Sequence, residues 1–134
     1  MEVNEAYKLT VLVLGLSGLL FWLQLALVDV LGIKMKHTPG YAIEQNHESI
    51  LFRANRAFAN SNESIGILIL LSLFAMLSSA NSAWLNGFAL AYLVGRVCHM
   101  TCYYLNLKIL RSTSFAISFV ALLGMFIVGI LSWL

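Results

Sequence analysis

Four long apolar runs, joined by shorter polar stretches, decide what this chain can become. They extend from Leu9 to about Gly32, from about Ile65 to Ser79, from about Ala83 to Leu107 and from about Phe115 to Leu134. Each is near the roughly 20 residues that a helix needs to cross a bilayer. Lipid offers no water to backbone N–H and C=O groups, so a spanning segment must satisfy them itself, and a helix does. The chain therefore reads as all-α, an integral membrane four-helix bundle forming one domain over residues 1–134. Composition agrees: 60% of the residues are hydrophobic and only 10% charged, where a soluble domain carries about 25%.

Several function classes fall away at once. A net charge of +2 without a basic cluster excludes nucleic acid as a partner. Cys98 and Cys102 lie in one apolar run, and a bridge between them would staple nothing. Their spacing is not the C-x-x-C redox motif either, so they read as small apolar side chains. The three histidines are scattered, with no carboxylate at ligand spacing, which argues against a metal site. There is no G-x-S-x-G, phosphate loop or dinucleotide glycine pattern. The N-terminus is acidic through Glu2 and Glu5, and the run from Leu9 to Val28 is too long for a signal core. It reads as a retained span.

The connections set the orientation. Lys34 to His47 is a polar loop with the only proline, Pro39, followed by Gly40. Ser78 to Ser82 is a tight turn, and Lys108 to Ser114 reads as a short basic loop. Lys34, Lys36, Arg53, Arg56, Arg96, Lys108 and Arg111 gather at the ends joined by the first and third loops; only Lys8 lies at the other side. The positive-inside rule makes those two loops cytoplasmic. The compact chain shows no retrieval or targeting signal, and a bacterial inner membrane is the expected location.

Polar groups inside the spans carry the chemistry. No Pro or Gly interrupts Glu48 to Ile65, so a polar segment enters the second span as continuous helix. Arg56, Asn60 and Glu63 fall at i, i+4, i+7, with Arg53 one turn earlier. In the third span Arg96, His99 and Tyr103 fall at i, i+3, i+7. Arg96 lies roughly 18 Å from Lys108 along the helix, too deep for a loop charge. Such groups persist where they pair, line a wet cavity or bind a polar ligand. Glu63 is the available carboxylate at similar depth, and an Arg96–Glu63 ion pair is the expectation. The two stripes together make a net-positive cleft that Arg111 can close. Guanidinium forks suit a small anionic ligand with carboxylates, and positive charge favours a thiolate.

These motifs are similar to those of a known family. Arg53-x-x-Arg56-Ala57-x-x-Asn60-x-x-Glu63 resembles the second-helix signature of the MAPEG family, the membrane-associated proteins in eicosanoid and glutathione metabolism. Arg96-x-x-His99-x-x-x-Tyr103 resembles the third-helix pattern of its prostaglandin E synthase branch, and Arg111-Ser112 resembles the Arg-Ser that follows. Phe52 and Phe58 depart from the family pattern, which often has Glu and His or Gln there. The resemblance implies a homotrimer with glutathione bound between subunits near the cytoplasmic side. It implies that Arg56, Asn60, Glu63, His99 and Tyr103 hold the tripeptide, with Arg53 and Arg96 completing the polar interior. Arg111 would stabilise the thiolate, with Ser112 as an alternative thiol donor. A lipophilic electrophile would approach from the membrane lipid, as in a microsomal glutathione transferase or peroxidase. Two other readings stand beside it: a non-catalytic lipid- or glutathione-binding protein of the same fold, and a small proton-coupled multidrug exporter. The exporter would need Glu63 free to titrate, whereas the neighbouring arginines keep it ionised.

Overall fold

A computed structural model describes residues 3–134, so of the acidic pair at the N-terminus Glu2 lies outside the described residues. Glu5 lies inside them and pairs with Lys8 at 3.9 Å. A single turn, α1 (Val3–Ala6), precedes four long helices: α2 (Lys8–Lys34), α3 (Ile50–Leu77), α4 (Ser82–Tyr104) and α5 (Lys108–Ile130), and a 3-10 turn, Leu131–Trp133, prolongs the last. No strand occurs among the described residues.

The core mixes large side chains with alanines that let the helices approach. Leu68, Ala75, Leu85, Ala89, Tyr92, Ala121 and Met125 fill it. The outer surface is apolar instead: Trp22, Leu70, Phe119 and Val120 are all exposed. This is the surface of a protein solvated by acyl chains, because patches of that extent are rare on soluble monomers. Helices α2 and α3 and the segment Lys108–Trp133 are long and apolar enough to cross a membrane. Of the four expected spans, α4 alone does not meet that measure. Its 23 residues match α5 in length, but it carries Asn86, Arg96 and His99. Arg96 and His99 are buried and Asn86 half-buried, so these groups are kept largely inside the bundle.

Helix ends follow from local chemistry. Ser49 caps α3, accepting from the Phe52 N–H, and Asn81 caps α4, accepting from Trp84 at 3.2 Å. Three helices stop on a left-handed residue that is not glycine: Lys36 (φ 54°), Ser79 (φ 55°) and Asn106 (φ 58°). After each, an N–H returns to a carbonyl of the last turn: His37 to Gly32, Ala80 to Ala75 and Leu107 to Cys102, at 2.8–3.0 Å. The turn at Asn106 corrects one expectation. Lys108 to Ser114 is not a loop, since α5 begins at Lys108. Lys, Ile, Leu and Arg are all compatible with helix, and the reversal needs only Leu105 to Leu107.

Helices α4 and α5 share the largest contact within the bundle. Gly95 permits it: a Cβ there would collide with the Ser118 hydroxyl and stand 3.0 Å from the Ser118 backbone nitrogen. At the far end Asn86 ties α2 to α4. Its Oδ1 accepts from Thr10 N–H (3.0 Å) and Thr10 Oγ1 (2.7 Å), and its Nδ2 donates to the Ala6 carbonyl at 3.0 Å. The first turn of α2 is thus satisfied from outside its own chain segment.

Candidate functional site

The third-span stripe is longer than its sequence pattern announced. Tyr92, Arg96, His99 and Tyr103 repeat at i, i+4, i+7, i+11 on α4, and all four are buried. Arg96 is 1% exposed. Its Nη2 faces Asn60 Oδ1 at 2.9 Å, Ser61 Oγ at 3.3 Å and His99 Nδ1 at 3.4 Å. Two N–H groups are shared among those three acceptors. A guanidinium only donates, so the contact uses the lone pair of His99 Nδ1 and leaves the ring proton on Nε2.

The expected ion pair between Arg96 and Glu63 is not formed. Lys8–Glu5 is the only ion pair among the described residues. Glu63 is exposed and accepts from Asn60 Nδ2 at 3.3 Å. Asn60 stands between the two charges, and its short amide offers an acceptor to one and a donor to the other.

The other expected site residues are placed differently. Arg53 turns away to the helix ends. Its Nη1 donates to the carbonyls of His47 (2.6 Å) and Glu48 (3.0 Å), and its Nη2 to the carbonyl of Tyr104 at 3.4 Å. It ties the start of α3 to the end of α4. Arg56 is half-buried and makes no hydrogen bond within the described residues. Arg111, in the first turn of α5, folds back over Tyr103 with its guanidinium carbon 4.4 Å from the ring centroid, a cation–π contact. Ser112 Oγ donates to the Lys108 carbonyl at 3.3 Å.

Asn60, His99, Tyr103, Arg111, Ser112 and Phe115 line an open cavity of about 270 Å³. Asn60 and Phe115 also bound a deeper cavity of about 170 Å³, reached by Glu63, Ser64, Tyr92, Arg96 and Ser118. The two cavities meet at Asn60 and Phe115 and run from the α4–α5 corner towards the middle of the bundle, the deeper one walled largely by Ile67, Phe119 and Leu122. Ser64 and Tyr92 join hydroxyls across its floor at 2.7 Å. Phe115 packs 6.0 Å from His99, and His99 meets Tyr103 edge-on at 5.0 Å. On another side of α5, an apolar groove of about 400 Å³ runs along Phe88, Ala91, Thr113, Ala116, Ile117, Val120 and Ala121. It begins one residue beyond Ser112.

Sequence reasoning missed Ser64, Tyr92, Phe115 and Ser118. Tyr92 was legible as one more turn of the α4 stripe, and Ser64 as the position four after Asn60. Phe115 and Ser118 lie four and seven residues beyond Arg111, a face that emerges only once α5 is seen to begin at Lys108. No group of ligating side chains that could hold a metal occurs among the described residues.

The model of the MAPEG family matches residues 9–131. Among the curated proteins nothing matches.

Proposed function

This chain belongs to the MAPEG family, and from that premise we propose that it is a glutathione-dependent transferase or peroxidase acting on lipophilic electrophiles. The observation that carries the reading is the cleft in which Arg111 lies over Tyr103 while Glu63 and Arg96 mark the other end. Glutathione has two carboxylates, an ammonium and a thiol. The cleft answers with cations, one carboxylate and several hydroxyl and amide groups, so the donor set fits the tripeptide.

Arg56, Asn60, Glu63, His99 and Tyr103 are the residues proposed to hold it. Glutathione supplies the nucleophile, its thiolate. Arg111 sets the charge at that end: its guanidinium is stacked and makes no hydrogen bond among the described residues, so its N–H groups can donate to an anion. Ser112, one residue on, would serve as the alternative thiol donor by turning its hydroxyl away from the Lys108 carbonyl. His99, its Nδ1 engaged by Arg96, presents its Nε2 proton. A lipid-soluble substrate would reach the Arg111 end past Phe115, which lines the open cavity beside it. The half-buried Arg56, whose guanidinium has no partner among the described residues, is consistent with a site completed by neighbouring subunits of a homotrimer. The basic ends of α2, α3 and α5 support cytoplasmic first and third loops, and an inner-membrane location belongs to the same proposal.

The test is glutathione affinity on detergent-solubilised protein, together with glutathione consumption in the presence of broad electrophiles. Wild type should bind, and Glu63→Ala and Arg56→Ala should each bind more weakly. Unchanged affinity in both variants would sink the site. Binding without consumption would leave a glutathione-binding protein rather than an enzyme.

A further inference from the structure

We propose that Arg96 is a positioning residue that holds the Glu63 carboxylate in the cleft wall through the side-chain amide of Asn60. The inference deepens the proposed function, since Glu63 is there the partner of the glutathione ammonium. Its geometry, however, exists without any ligand.

Arg96 is a cation at 1% exposure that forms no ion pair among the described residues. An uncompensated charge inside a bundle is expensive. The compensation reaches it across one residue. Arg96 Nη2 donates to Asn60 Oδ1 at 2.9 Å, and Asn60 Nδ2 donates to Glu63 Oε2 at 3.3 Å. A guanidinium has only donors and a carboxylate only acceptors, while an amide has one end of each kind. The two charges therefore fix the amide in a single orientation. Flipping it would set NH₂ against guanidinium and oxygen against carboxylate.

The relay does what a direct ion pair could not. A bidentate pair would draw Glu63 inward against Arg96 and leave nothing for a ligand. With Asn60 between them, Glu63 stays exposed and still forms part of the cavity wall. Ser61 and His99 take the rest of the Arg96 Nη2 contacts and hold that nitrogen in place. Arg96 thus acts on the ligand's ammonium site through Asn60.

The test is a mutant cycle in two backgrounds. Arg96→Met, Glu63→Gln and the double variant are made with Asn60 present, and again with Asn60→Ala. The first readout is the thermal midpoint in detergent without glutathione; the second is glutathione affinity. With Asn60 in place, the double variant should lose less than the two single losses added together. With Asn60→Ala that coupling should vanish. Arg96→Met should weaken glutathione binding roughly tenfold, as expected for one charge-assisted hydrogen bond, and should add no further loss in the Asn60→Ala background. Coupling of equal size in both backgrounds would mean that the charges act on each other directly, and would overturn the relay. Should Arg96→Met not fold, Asn60→Asp decides. It gives Arg96 a carboxylate of its own and repels Glu63, so the midpoint should hold or rise while glutathione affinity falls; wild-type affinity would overturn the proposal. A wild type that binds no glutathione would remove the proposed function, and the thermal cycle would still decide the relay.

Discussion

Gly95→Ala should damage this protein where the same change at Gly87, on the same helix, should help it. Both substitutions remove the helix penalty of glycine, a gain of about 1 kcal/mol. At Gly87 the new methyl meets nothing within 4 Å, so the gain stands. At Gly95 it collides with the Ser118 hydroxyl, and it lies 3.0 Å from the Ser118 nitrogen and 3.1 Å from the Ser114 carbonyl oxygen. The hydroxyl can rotate away, but the two backbone atoms belong to α5 and can yield only if that helix moves. Overpacking of this kind costs about 1–3 kcal/mol. The two variants should therefore differ by about 1–3 kcal/mol, with Gly95→Ala the less stable. Equilibrium unfolding of purified protein in detergent, followed by helical circular dichroism, measures the difference. Turnover should follow, because Arg111 and Ser112 ride on the same helix as Ser114. Equal stability shifts at the two glycines would refute the account of α4–α5 packing.

Three further outcomes are expected. Arg111→Ala should lower turnover with a chromogenic electrophile by roughly 10²–10³ and change glutathione affinity far less, with Arg111→Lys recovering only part because it loses the planar fork; parallel losses in both quantities would assign Arg111 to binding. Arg53→Met should leave the carbonyls of His47 and Glu48 without their donor, at about 1–3 kcal/mol, and amide exchange should quicken at Ser49 to Phe52 and Leu105 to Leu107; unchanged exchange there would dismiss its role as a tie between α3 and α4. Gln24 is 1% exposed and neither of its amide atoms has a partner among the described residues, so Gln24→Leu should raise stability by about 1 kcal/mol. A lowered thermal midpoint would show that Gln24 is satisfied within the membrane assembly.

The helices were legible because their causes are local. Apolar length and the demand that backbone groups be satisfied in lipid mark out α2, α3 and α5, and the absence of Gly and Pro from Glu48 to Ile65 makes α3 one helix of 28 residues. The start of α5 at Lys108 is hidden for an equally local reason. Lys108 and Arg111 look like loop residues, and the reversal is made by Asn106 in a left-handed conformation that the sequence only hints at. Within the site, periodicity placed Asn60, Glu63, Arg96, His99 and Tyr103 on facing stripes, and Arg111 where it could close over them.

What periodicity could not say is which atoms meet. Arg96 and Glu63 lie at similar depth, so charge alone favoured pairing them. In the folded chain Asn60 comes between, and Arg53 leaves the stripe to hold backbone carbonyls at the helix ends. Partner choice at that scale depends on helix rotation and separation, and these are set by contacts such as Gly95 against Ser118. Sequence by itself thus determined the spans, their polar faces and the chemistry those faces can offer, because each depends on neighbours three or four residues away. Only the tertiary structure decided how that chemistry is shared out, because a hydrogen bond is made or lost within a few tenths of an ångström between helices far apart in the chain.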